Sequence, residues 1–149
     1  MPNDAFTAGQ TLTAAEMNLL PFGYITKAGT ASTQTSVGTS PTDLTSLTVT
    51  FTALATRRYL IQGTVNFRKI TSGGRAAVEI VRGSTVLQTV FMTLDTNQYG
   101  TLNLDIDDVP GGGSVTYKLR GYVSADTMTV NPDADAETLS LIRVIDIGQ

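Results

Sequence analysis

From Gly23 onward, apolar and polar residues alternate with a period of two, the pattern of strands that bury one face. Leu47, Val49, Phe51 and Ala53 alternate with Ser46, Thr48, Thr50 and Thr52. Tyr59, Ile61, Gly63, Val65 and Phe67 then share a face, with Arg58, Leu60, Gln62, Thr64, Asn66 and Arg68 on the other. Val78 and Ile80 follow the turn signal Ser72-Gly73-Gly74, and Arg82-Gly83-Ser84-Thr85 reads as a hairpin into 86–94. Leu102, Leu104 and Ile106 alternate with Thr101, Asn103, Asp105 and Asp107. After the turn Pro110-Gly111-Gly112-Gly113, the next inward face is Val115, Tyr117, Leu119, Gly121 and Val123. Met128 and Val130 mark a short strand, and 139–147 closes the chain. Residues 28–43 are polar and nearly uncharged, and fit a first edge strand with a loop. About eight short strands joined by Gly- and Pro-rich turns predict an all-β, antiparallel β-sandwich with jelly-roll-like topology.

Two segments break the one-sided rule. In 139–147, Leu139, Leu141, Ile145 and Ile147 take one face while Ile142 and Val144 take the other. In 86–94, Val86, Val90, Met92 and Leu94 oppose Leu87 and Phe91. A strand apolar on both faces is covered on both, and a two-layer sandwich supplies only one cover. The expectation is a subunit interface built from Leu60, Leu87, Phe91, Tyr122, Ile142 and Val144. Self-cover by residues 23–44 is the alternative.

Residues 1–22 follow a different pattern. Thr13 and Glu16 form a capping box with Leu12 as staple residue, and Pro21 stops the helix they would start. A helix of about two turns is not stable alone in water, so this arm is expected to dock. Phe6, Leu12, Met17, Leu19, Leu20 and Phe22 are its docking residues, each worth roughly 1.5–3 kcal/mol if fully buried. The division is thus 1–22 as docking arm and 23–149 as sandwich domain.

Composition narrows the chemistry. Hydrophobic residues make up 41% and charged residues 15% of the 149, a globular balance, and Thr exceeds every other residue type. Ten basic and thirteen acidic residues give a net charge of −3 with no basic run, so nucleic acid is not expected as a partner. The basic pair Arg57-Arg58 reads as a solvated strand edge. The absence of Cys and His removes disulfides, thiolate nucleophiles and the commonest general base and metal ligand. No apolar run approaches the roughly 18 residues of a membrane helix, and Met1-Pro2-Asn3-Asp4 lacks the opening of a signal peptide. The expected route is synthesis in a host cytoplasm without Sec-type export, with no membrane partner.

Candidate sites are few. Asp105 and Asp107 share a strand face with Asp108 beside them, a spacing compatible with paired carboxylates, but next to a glycine turn they read as solvated acids. Asp133-Ala134-Asp135-Ala136-Glu137 misses the spacing of a calcium loop and reads as solvated. No catalytic residue, cofactor or metal is expected, and the chain reads as non-enzymatic.

Phe6-Thr7-Ala8-Gly9-Gln10-Thr11-Leu12-Thr13-Ala14-Ala15-Glu16-Met17-Asn18 resembles the opening segment of many tailed-phage structural proteins, commonest in phages of actinobacteria. The body resembles the trimeric jelly rolls of the tumour-necrosis-factor and complement globular-head type. Tyr59-Leu60-Ile61-Gln62-Gly63-Thr64-Val65-Asn66-Phe67, Val78-Glu79-Ile80-Val81-Arg82-Gly83-Ser84, the segment Asp108-Val109-Pro110-Gly111-Gly112-Gly113-Ser114-Val115-Thr116-Tyr117-Lys118-Leu119 and the closing Leu141-Ile142-Arg143-Val144-Ile145 carry this second resemblance. Five Phe, five Tyr and no Trp are few aromatics for such a trimer axis. Together the resemblances imply a homotrimeric virion protein bound to other virion proteins, either a minor tail protein at the tail tip or a capsid decoration. The alternative is a receptor- or carbohydrate-binding module using loops around Tyr99, Tyr122 and 131–137 for host-surface contact.

Overall fold

In a computed structural model that describes residues 20–69, 73–132 and 139–149, the chain folds into two packed antiparallel sheets. The strands are β1 (Gly23–Thr30), β2 (Gln34–Val37), β3 (Thr42–Ala53), β4 (Arg58–Lys69), β5 (Gly74–Arg82), β6 (Thr85–Leu94), β7 (Tyr99–Asp108), β8 (Gly113–Val123), β9 (Met128–Val130) and β10 (Ser140–Gly148). The first sheet runs β1-β10-β4-β7; β9 follows β10 along the same edge of β4, and β2 pairs with β9. The second sheet runs β3-β8-β5-β6. Most neighbouring strands are distant in sequence, and the chain alternates between sheets from β2 to β5 and from β6 to β9, which is a jelly roll. The Thr13–Glu16 capping box of the expected helix and the docking residues Phe6, Leu12, Met17 and Leu19 lie outside the described residues, as does the acidic segment 133–137.

The core follows the period-two faces read from the sequence. Ile61, Val65 and Phe67 on β4 meet Val78 and Ile80 on β5 and Tyr117 and Leu119 on β8, all essentially without exposure. Gly63 belongs to this face for a steric reason: a Cβ there would lie 2.9 Å from Leu119 Cδ2, so any larger residue would push that leucine aside.

Where the alternation fails, a bulge is the cause. Leu44 and Leu47 are both buried despite odd spacing, because the β3–β8 register slips between Asp43 and Thr48 and Ser46 adopts φ 61°. On β6 the register slips so that Ile80 faces Gln88 while Val81 faces Val86. Leu87 is the extra residue and packs against the core, which corrects its expected place at an interface.

Ile142 and Val144 need a second correction. Both have no exposure and lie in the core, so neither is available to a subunit interface. The outward face of β10 is the more apolar one, with Leu141, Ile145 and Ile147 half-buried and Leu139 exposed. The inward face ends in Asp146, and this carboxylate requires a buried partner.

Candidate interaction face and arm anchor

That partner is Arg57. It is 2% exposed, not the solvated edge residue expected, whereas Arg58 beside it is open and pairs with Asp107 at 2.6 Å. Arg57 Nε donates to Asp146 Oδ2 at 2.9 Å and Nη2 to Oδ1 at 2.6 Å, the two-point geometry that fits guanidinium to carboxylate. The same Nη2 donates to the Leu20 carbonyl at 2.7 Å, and the guanidinium lies 4.1 Å from the Phe22 ring centroid. Asp146 also accepts backbone N–H groups of Gly148, at 2.9 Å, and of Phe22. Burial raises the Asp146 pKa, but the Arg57 hydrogen bonds, the Gly148 N–H and the Arg57 charge outweigh it and hold the carboxyl below its ordinary value. One buried ion pair therefore fixes where residues 20–22 leave the sandwich. Leu20 and Phe22, the described members of the expected docking set, are themselves exposed.

The register puts this anchor at one end of the molecule. Gly23 pairs with Asp146, Gly148 with Arg58, Asp108 with Tyr59 and Ala53 with Gly113. The start of β1, the end of β10 and the loops 54–57 and 109–112 thus share an arm end. The loops 95–98 and 124–127 lie at the opposite end, beside the pairs Gly74–Leu94 and Ala76–Val123.

The outer face of the first sheet is built in rows across its strands. Tyr24, Ile145, Leu60 and Asp107 form one row, and Lys27, Arg143, Gln62 and Asp105 the next. Leu141, Thr64 and Asn103 follow. Arg143 Nε donates to Gln62 Oε1 at 2.8 Å, and the Thr64 hydroxyl to Asn103 Oδ1 at 2.9 Å. Between these strands lies an open groove of about 330 Å³, lined by Gln62, Thr64, Asn103, Asp105, Leu141 and Arg143 among others.

Phe91 and Tyr122 are on the other sheet, in register with Ala77 between them, and Arg75 covers the Phe91 ring at 4.5 Å. Leu60 therefore does not share a surface with Phe91 and Tyr122, contrary to the sequence reading. Tyr99, on the first sheet, is likewise separated from Tyr122 by the thickness of the sandwich.

The carboxylates do not assemble into a catalytic pair. Asp107 is tied to Arg58, and Asp108 turns toward Arg82, which reaches both its oxygens at 2.8 Å. The Tyr117 hydroxyl donates to Asp108 at 2.6 Å; burial and then that hydrogen bond push the phenol well above its ordinary range. Among the described residues no three Asp or Glu side chains come together as metal ligands. Asn131, in the left-handed region at φ 47°, is a buried hub: its amide donates to the carbonyls of Thr30 and Ser32, and its Oδ1 accepts from Ser140 Oγ at 2.6 Å. Sequence reading passed over it; an Asn before a Pro at a strand end was the available signal.

No protein-family model matches this chain, and no curated protein does. Among solved structures, it is similar to the tumour-necrosis-factor protein Eiger from S. frugiperda, at 11% identity and TM-score 0.51, over 85% of this chain and 94% of that one. It also aligns with infectious bursal disease virus, Gx strain, at 13% identity and TM-score 0.44, over 86% of this chain and 32% of that one. A family 35 carbohydrate-binding module from an environmental isolate aligns at 21% identity and TM-score 0.34, over 82% and 85% of the two chains. The first of these likenesses agrees with the strand order above: the fold is an all-β jelly-roll sandwich.

Proposed function

We propose that this chain is a non-enzymatic structural protein of a tailed-phage virion. Three copies form a β-sandwich head, which the N-terminal arms mount on the particle as a minor tail, tail-tip or capsid decoration protein. The observation that carries the reading is the buried Arg57–Asp146 pair gripping residues 20–22. The pair holds residues 20–22 in one direction at the end of the sandwich, as a mounted head would require. Residues 20–22 and the C-terminus share one end, which leaves the loops 95–98 and 124–127 at the other end to face outward. The phage-like string at residues 6–18 lies in the arm, where a mounting segment belongs.

The test is to purify particles from cells that carry the gene, and to label them with antibody against the chain. Label at the tail or on the capsid supports the reading, and absence of the chain from the particles sinks it. A carbohydrate-binding role is the second reading, favoured by the polar groove between Asp105 and Arg143. A glycan-array signal that is lost in Asp105→Ala would favour that reading over the first.

A further inference from the structure

The Lys27–Arg143 row carries a charge pattern that one copy leaves unresolved. Lys27 and Arg143 are direct register partners on neighbouring strands, both exposed and both positive. Like charges directly opposite one another in a sheet are destabilising. Across the same row, Asp105 on β7 is exposed and has no ion pair among the described residues. Gln62 lies between the two sides, and the groove separates them. Of the other charges of the face, Arg58 pairs with Asp107, and Arg68 sits at the far end against Tyr99. Tyr24, Ile145, Leu60 and Leu141 supply apolar contact area around the row.

We infer that this face binds a second copy of the chain, with Asp105 of one copy meeting Lys27 and Arg143 of the next. The pattern also fixes the orientation. With the face turned toward a three-fold axis parallel to the strands, the acidic side of one copy lies beside the basic side of the next. An axis across the strands exchanges the ends and keeps the sides, so Lys27 and Arg143 would meet their own copies. Only the first arrangement is electrostatically complementary. It also keeps every arm end on the same side of the assembly, as mounting by residues 1–22 requires. The inference rests on the self-associating reading above and adds to it the face, the charges and the polarity.

Zero-length carbodiimide cross-linking of the native chain, read by mass spectrometry, tests it directly. Within one copy Lys27 and Asp105 lie three strand spacings apart, about 14 Å at roughly 4.8 Å each, beyond the span of an amide between them. A Lys27–Asp105 cross-link in a multimeric band is the expected result. Light scattering then compares the native chain with Lys27→Glu/Arg143→Glu, with Asp105→Lys, and with all three changes combined. The first two are expected to fall to single-chain mass, and the combined variant to regain the native mass. Circular dichroism confirms that each variant is folded, and the cross-link needs no variant. A native multimer with no such cross-link, unmoved by either reversal, overturns the face while leaving self-association standing. A native mass of one chain overturns both and leaves the face to a different partner.

Discussion

Replacing Arg57 with Met strands a carboxylate in the interior. Asp146 is 1% exposed and loses two charge-assisted hydrogen bonds, at 2.9 and 2.6 Å, keeping only backbone N–H donors. Removing one partner of a buried ion pair costs about 3–5 kcal/mol, because the remaining charge stays desolvated. At roughly 2–4 °C per kcal/mol for a chain of this size, the melting temperature of Arg57→Met should fall by about 6–20 °C. The double variant Arg57→Met/Asp146→Leu removes both charges and should recover most of that loss. The two variants differ from each other in stability but share a second effect, since both lose the grip on Leu20 and Phe22. Chymotrypsin should therefore cut after Phe22 faster in both than in the native chain. Urea unfolding measures the first effect and timed proteolysis the second. A cost below about 1 kcal/mol for Arg57→Met would refute the buried-pair argument. Unchanged cleavage at Phe22 would refute the anchor.

The Asp146 carboxyl, held below its ordinary value of about 3.8, stabilises the fold fully above that pH. The contribution is lost as pH falls through the lower folded value, so urea midpoints measured from pH 7 to pH 2 should drop less steeply in Arg57→Met/Asp146→Leu. Gly63→Ala puts a Cβ 2.9 Å from Leu119 Cδ2 and should cost about 1–3 kcal/mol by overpacking, read by urea unfolding. Ile142→Ala should cost about 2–5 kcal/mol as a core cavity, while Phe91→Ser at an exposed site should cost under about 1 kcal/mol. Equal costs for these last two would contradict the placement of the two side chains.

The strands, their turns and most of their inward faces were legible because the period-two signal is strong wherever one face is wet. Leu47, Val49 and Ala53 on β3 and the Tyr117–Leu119–Val123 face of β8 were readable on that ground alone. Parity cannot be carried through a bulge, so Leu87 was placed on the wrong face. For β10, counting apolar residues favoured the face of Leu141, Ile145 and Ile147, yet the core took the face of Ile142, Val144 and Asp146. The signal that would have corrected it was Asp146 itself: an acid alternating with core residues implies a buried cation, and Arg57 stands just before a core strand. Which outer surface each apolar residue joins depends on sheet order, so Leu60 could not be separated from Phe91 and Tyr122 before the topology was known.

The central claim is that this jelly roll works as a mounted assembly of identical heads. Light scattering of the full-length chain after size-exclusion chromatography tests that claim most directly. A mass of about 47 kDa, three times 15.8 kDa, is the predicted result. A mass near 15.8 kDa at every concentration examined would contradict it, and would leave the charged row of the first sheet without its proposed partner.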